Sequence, residues 1–317
     1  MKKIMLAALA TTMLSASFAG SAYAETVGVT MAAFDDNFLT VLRNGMGDYA
    51  KTLDGVELQV EDAQNDVSKQ MSQIQNFIAS GVDAIIVNAV DTDSTAPMSK
   101  LAEDAGIPLV YVNRQPINLD TLPAKQAFVA SNEVDSGTLE TKEICRLLTA
   151  AGKKEASIVV MMGELSNQAA RQRTQDVHDV IATPECSFIK IAEEQTANWS
   201  RQQGADLMAN WLSAGIKFDA VVANNDEMAI GAIQALKAAG ISTKDVIVGG
   251  VDATQDALAA MAAGDLAVTV FQNAAGQGSG ALDAALALHR GETVERSVWV
   301  PFELVTPENL ANYQSKN

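Results

Sequence analysis

The chain has 317 residues, 48% of them apolar, and a formal net charge of −17. So acidic a surface argues against nucleic-acid or anionic-lipid partners and favours solubility. The length admits one large domain or two of ordinary size.

The N-terminus, "MKKIMLAALATTMLSASFAGSAYAET", places Lys2 and Lys3 before a short apolar run and small residues at Ala22 and Ala24. That is an export signal, with cleavage expected after Ala24. Thr11, Thr12, Ser15 and Ser17 interrupt the run, and no later segment has the roughly 18 apolar residues a span needs. A soluble, exported mature protein is expected, without a lipid anchor because no Cys follows the small residues.

"TVGVTM" (26–31) predicts a first strand, and Phe38, Val41, Leu42, Gly45, Met46 and Tyr49 share one helical face after it. "VELQVED" (56–62) predicts a second strand, followed by a helix through Val67, Met71, Ile74 and Ile78 that Gly81 closes. "DAIIVNAVD" (83–91), a helix near 94–105 and "IPLVYVN" (107–113) continue the alternation. "QPINLDTLPAKQ" (115–126) interrupts it. Strands resume at 127–131, 156–163, 187–193, 218–224 and 245–251, with helices between them ending at signals such as Gly215 and Gly240. Residues 266–292 predict strand, turn and helix, with "GQGSG" (276–280) as the turn. The pattern is α/β, with parallel sheets in two similar halves.

Nearly every strand stops on a polar residue. The stops include Asp35–Asp36, Asn88, Asn113–Arg114, Glu164–Asn167, Asn224–Asn225–Asp226 and Asp252. Ligands of open parallel sheets bind beyond the carboxyl ends of the strands. The same residue types cap helices. Asp226, just before a helix, is expected to be a cap, whereas both readings stand for Asn88, Asn225 and Asp252.

Catalytic and metal motifs are missing. His178 and His289 lie within polar helix stretches. No nucleophile elbow, dinucleotide fingerprint, phosphate loop or calcium loop occurs. No cofactor or metal is therefore expected. Cys145 and Cys186 fit no zinc pattern; in an oxidising compartment they are a candidate disulfide, with two buried thiols as the alternative. Asp, Asn and Arg side chains with Phe38 and Trp199 suit a neutral polyhydroxylated ring, polar at its rim and apolar on its faces.

"FDDNFLTVLRNG", "DAQNDVSKQMSQIQ", "ANNDEMAIGAIQALKAAG" and "GGVDATQDAL" resemble the type I periplasmic sugar-binding proteins of ABC importers. The resemblance covers the whole mature chain. It implies two Rossmann-like lobes joined by a three-strand hinge, one of residues 25–130 and 273–300, the other of 131–272 and 301–317. Carried over by position, Asp36, Asn88 and Arg114 bond the ligand and Phe38 stacks on it. From the second lobe come Arg173, Trp199, Asn225, Asp252 and Gln272; Arg171 is the alternative to Arg173, and Asn224 a weaker candidate than Asn225. Asn167 stands where the galactose/glucose binder has a His, Ala169 where it has an Asp, and Gln272 replaces an Asn as in the ribose binder. That binder's calcium loop is absent from "LLTAAGKKEASIVV". "VYVNRQP" and "MGELSNQAARQRTQDVHDVIATPECSF" are more similar to inositol- and rhizopine-binding relatives. The expected ligand is thus a cyclitol, myo-inositol or an amino-inositol such as rhizopine, with glucose/galactose or ribose as alternatives. The expected partners are a membrane permease and, by resemblance alone, a chemoreceptor; the expected state is a monomer. A secreted carbohydrate-active enzyme is the alternative from another class, and it lacks an identifiable catalytic pair.

Overall fold

A computed structural model describes residues 24–316; the expected signal peptide, Ala24 apart, lies outside the described residues. In chain order the elements are β1 (Glu25–Met31), α1 (Asn37–Ala50), β2 (Val56–Asp62), α2 (Val67–Ser80), β3 (Ala84–Val87), α3 (Thr95–Ala105), β4 (Leu109–Val112) and β5 (Gln126–Ala130). Then follow α4 (Glu133–Ala150), β6 (Ala156–Met162), α5 (Gln168–Ile181), β7 (Ile189–Thr196), α6 (Arg201–Ser213), β8 (Ala220–Ala223), α7 (Asp226–Ala238), β9 (Ile247–Gly249) and α8 (Gln255–Ala262). The chain closes with β10 (Thr269–Phe271), α9 (Ala274–His289), β11 (Ser297–Trp299) and β12 (Glu303–Val305).

Two parallel sheets result. One has the order β11-β5-β4-β3-β1-β2, the other β7-β6-β8-β9, and β10 pairs antiparallel with β12 beside the second. Each sheet centres a Rossmann-like lobe. Every residue of β3, β4, β5 and β8 is buried, as strands covered by helices on both faces require. The chain passes between lobes after β5, after β10 and after β11, which makes a three-strand hinge.

Helix starts follow the strand exits. Asp36, Asp66, Asn132, Asn167, Ser200, Asn225, Thr254 and Asn273 each accept a backbone N–H in the first turn of the helix they precede. Asn225, not Asp226, caps α7. Asp226 turns inward, its carboxylate accepting from Thr254 N at 2.9 Å and Thr269 Oγ1 at 2.7 Å.

"GQGSG" is not a turn but the interior of α9. Its glycines serve packing against α1: a Cβ on Gly278 would lie 2.9 Å from the Leu42 carbonyl oxygen, and one on Gly45 2.9 Å from Ala275 Cα. Helix–helix contact at that range overrides glycine's poor helix propensity. His289 is the last residue of α9 rather than a mid-helix residue. A disulfide joins Cys145 on α4 to Cys186.

Candidate functional site

The strand exits of both lobes converge on one cavity of about 360 Å³, lined by Asp36, Phe38, Leu39, Asn113, Arg114, Glu133, Asn167, Ala169, Arg173, Trp199, Asn225, Asp252 and Gln272. Nine of the ten residues expected to bind ligand line it. The tenth, Asn88, is fully buried at the end of β3: its Oδ1 accepts from Ala32 N at 3.3 Å, and its Nδ2 donates to Val112 O at 3.2 Å and Asn113 Oδ1 at 3.3 Å. Asn113 therefore presents the amide that Asn88 supports from behind.

Capping and cleft-lining turn out to be one arrangement. Asp36 Oδ1 accepts from Leu39 N at 2.8 Å, Asn167 Oδ1 from Ala169 N at 3.1 Å and Asn225 Oδ1 from Met228 N at 3.0 Å, and all three side chains also line the cavity. The cap fixes each side chain through one oxygen, and Asn225 Nδ2 also donates to Trp199 O at 3.4 Å.

Arg173 is the most constrained group. It is 4% exposed and forks onto Glu133, Nε to Oε2 at 2.7 Å and Nη2 to Oε1 at 3.1 Å. Its Nη1 donates to Asn224 O at 2.7 Å, and Nη2 to Gln272 Oε1 at 3.4 Å. Burial opposes its charge, but Glu133, Asp252 and Glu140 outweigh burial and leave its pKa raised. Burial drives the Asp252 carboxyl well above its ordinary value, although Arg173 Nη1 stands 3.9 Å away. Arg114 donates to the carbonyls of Ala89 and Val90 at 3.1 and 3.3 Å and faces Glu164 from the other lobe at 3.9 Å. Burial also raises the Asp36 carboxyl, against the Leu39 N–H and the Arg114 charge. Arg171 points away from the cavity, to Asp93.

Three lining residues hold left-handed backbone: Asn113 at φ 67°, Trp199 at 62° and Asp252 at 122°. Such conformations are uncommon for bulky residues and concentrate where a structure over-determines a site. Trp199 is positioned by Gly163, whose missing Cβ would fall 2.2 Å from the indole. Leu39 and Glu133 were not expected in the lining; Asn113 is a strand-exit residue not carried over as a ligand contact, and Ala169 a position where the galactose/glucose binder has an Asp. Asn113 and Glu133 obey the strand-exit rule that found the others, the latter one residue beyond the Asn132 cap of α4. Among the described residues no His, Cys, Asp and Glu cluster is arranged to hold a metal ion.

The periplasmic binding protein domain model matches residues 27–293. The chain is 69% identical, over all 317 residues and the full length of both, to the "Putative rhizopine-binding protein" of Rhizobium meliloti. An ABC transporter solute-binding protein of Bacillus halodurans C-125 with bound myo-inositol superposes with a TM-score of 0.87 at 42% identity, covering 94% of this chain and 100% of the other. The Caulobacter myo-inositol binding protein, bound to myo-inositol, superposes with a TM-score of 0.82 at 29% identity, covering 92% and 96%. With two parallel-sheet lobes closing on a polar cavity and a family model spanning most of its length, the chain belongs to the periplasmic binding proteins.

Proposed function

We propose that this protein captures a cyclitol, myo-inositol or an amino-inositol such as rhizopine, between its lobes and delivers it to the permease of an ABC importer. The lobes are residues 25–130 with 273–300 and residues 131–272 with 301–317, the mature chain beginning after Ala24 and acting as a monomer. The observation that carries the reading is the cavity itself. Hydrogen-bonding groups from both lobes ring a space that Phe38 and Trp199 flank with apolar faces. A six-membered ring with hydroxyls at its rim and C–H bonds on its faces matches that distribution. The relatives named above support a cyclitol.

An amino substituent would find a partner here. Asp36 and Asp252 both line the cavity, and an ammonium beside either would offset the burial that raises its carboxyl. Each lobe alone offers only part of the contacts, so the solute shifts the population towards the closed form that the permease takes up.

Titration calorimetry and thermal shift with myo-inositol, scyllo-inosamine, D-ribose and D-galactose test the reading. A ligand at 100 times its Kd stabilises by about 2.7 kcal/mol. Asp36→Asn retains the α1 cap and removes the charge, so it is expected to weaken the amine by about 2 kcal/mol and myo-inositol by less. A clear shift with ribose or galactose and none with either cyclitol overturns the ligand, and turnover of any of them overturns the binding role.

A further inference from the structure

We infer that Thr92, with Asp93 and Arg171 beside it, is a latch between the lobes that sets solute affinity without touching the solute. The inference rests on the reading that the lobes close over a ligand. Thr92 follows β3 in the first lobe and is fully buried. Its backbone N–H donates to Ser166 O of the second lobe at 3.0 Å, as does its hydroxyl, also at 3.0 Å. The same hydroxyl accepts from the backbone N–H of Gln168 at 3.1 Å.

Gln168 is the first residue of α5. The opening N–H groups of a helix have no partner within it. The Asn167 cap serves the N–H of Ala169, so the N–H of Gln168 is served from the opposite lobe. Opening the cleft hands that donor and the Ser166 carbonyl back to water. Thr92 is itself held rigidly, its carbonyl accepting from Ile117 N at 3.1 Å and Thr95 Oγ1 at 2.8 Å. Outside it, Arg171 Nη2 reaches Asp93 Oδ1 at 2.9 Å while Nη1 donates to Leu165 O at 2.6 Å. That outer pair is about half exposed on both sides and contributes little by itself.

None of these three residues lines the cavity, yet α5 also carries Asn167, Ala169 and Arg173, which do. Solute contacts and latch contacts thus pull on the two ends of the same opening turns. A contact present only in the closed form raises that form's population and lowers the apparent Kd for any solute the form holds.

Thr92→Val keeps the branched shape and removes the hydroxyl. With myo-inositol and D-ribose as probes, Kd is expected to rise about tenfold, mostly through faster dissociation, by the same factor for each probe that binds. Thr92→Ser is expected to restore the wild-type value. Asp93→Asn is expected to raise Kd about twofold at low salt and less at high salt. The ligand-free Tm should not move with any of the three. An unchanged Kd in Thr92→Val, or a loss that Thr92→Ser does not repair, overturns the latch. If myo-inositol fails on the wild type while ribose binds, the ligand reading falls and the latch is decided on ribose.

Discussion

The floor of the cavity is built in two chemistries. Under the first lobe it is neutral: Gln70, Gln73, Thr30 and Asn88 form a buried amide and hydroxyl network. Gln70 Nε2 donates to Asn88 O at 2.9 Å, Gln70 Oε1 accepts from Val90 N at 2.8 Å, and Thr30 Oγ1 donates to Gln73 Oε1 at 2.6 Å. Under the second lobe it is charged: Glu133, Glu140, Arg173, Asp226 and Asp252 are all buried, and the one guanidinium acts on Glu133, Asp252 and Glu140, while Asp226 is held by Thr254 and Thr269. Yet the two floors share a geometry. Asn88 after β3 accepts from Ala32 N after β1, and Asn224 after β8 accepts from Gly163 N at 3.1 Å after β6. Each amide ties one strand exit to its neighbour. The near repeat of "DAIIVNAVD" and "DAVVANNDE" therefore marks a structural clip used twice, while the amides that line the cavity are those of Asn113, Asn167, Asn225 and Gln272.

The sharpest way to separate the two floors is to remove a charge. Arg173→Ala leaves Glu133 buried without its fork and is expected to cost about 3–5 kcal/mol of stability by urea denaturation, together with most of the binding. Arg114→Ala, which chiefly strands two carbonyls, should cost about 1–3 kcal/mol.

Next come the clips. Asn88→Ala loses one acceptor and two donor contacts and should cost about 2–3 kcal/mol. Asn224→Ala loses the contacts of its Oδ1, to Gly163 N and Thr174 Oγ1, and should cost about 1–2 kcal/mol, by the same measurement. Equal losses would mean that the Nδ2 bonds of Asn88 contribute nothing.

The smallest effect is the pH dependence, and the charged lobe should supply most of it, with Asp36 the first lobe's contribution of the same sign. Burial pushes Asp176 up to about 7, raises Asp226 and drives Glu140 well above its ordinary value. A carboxyl with a raised folded-state pKa binds its proton more tightly in the native protein. Its stabilisation is complete below the unfolded pKa, near 4, and is lost as pH rises through the folded value. The Tm should therefore fall between about pH 5 and pH 7.5, and Glu140→Gln should flatten that slope. Glu25, Asp219 and Asp265, whose values are lowered, act with the opposite sign below about pH 4. A Tm that rises with pH across the upper window would contradict the charged-floor account.

Much of this was legible from the chain. Parallel strands buried on both faces are unbroken apolar runs, and Gly81, at φ 74°, ends its helix as its position predicts. Polar strand exits located the cavity because fold topology alone sends them there. What escaped was whatever tertiary contact decides. β11 and β12 are three residues each, too short for any periodicity, and exist through pairing with β5 and β10. β7 extends to Thr196 through "EEQT" because an edge strand tolerates polar residues. Asn88 and Asn113 both end strands next to one another, and only packing decides which faces the ligand and which stands behind it.

The chain also carries its own optical reporter. Of its three tryptophans, Trp211 is buried in the second lobe's core and Trp299, 48% exposed, stacks edge-on to Phe128 far from any solute contact. Trp199 alone lines the cavity, its indole pressed flat on Gly163 with Arg173 5.7 Å from the ring. Intrinsic emission in a chain with phenylalanine at 211 and 299 thus becomes a label-free readout of occupancy, placed by the fold where a designed sensor would put its dye.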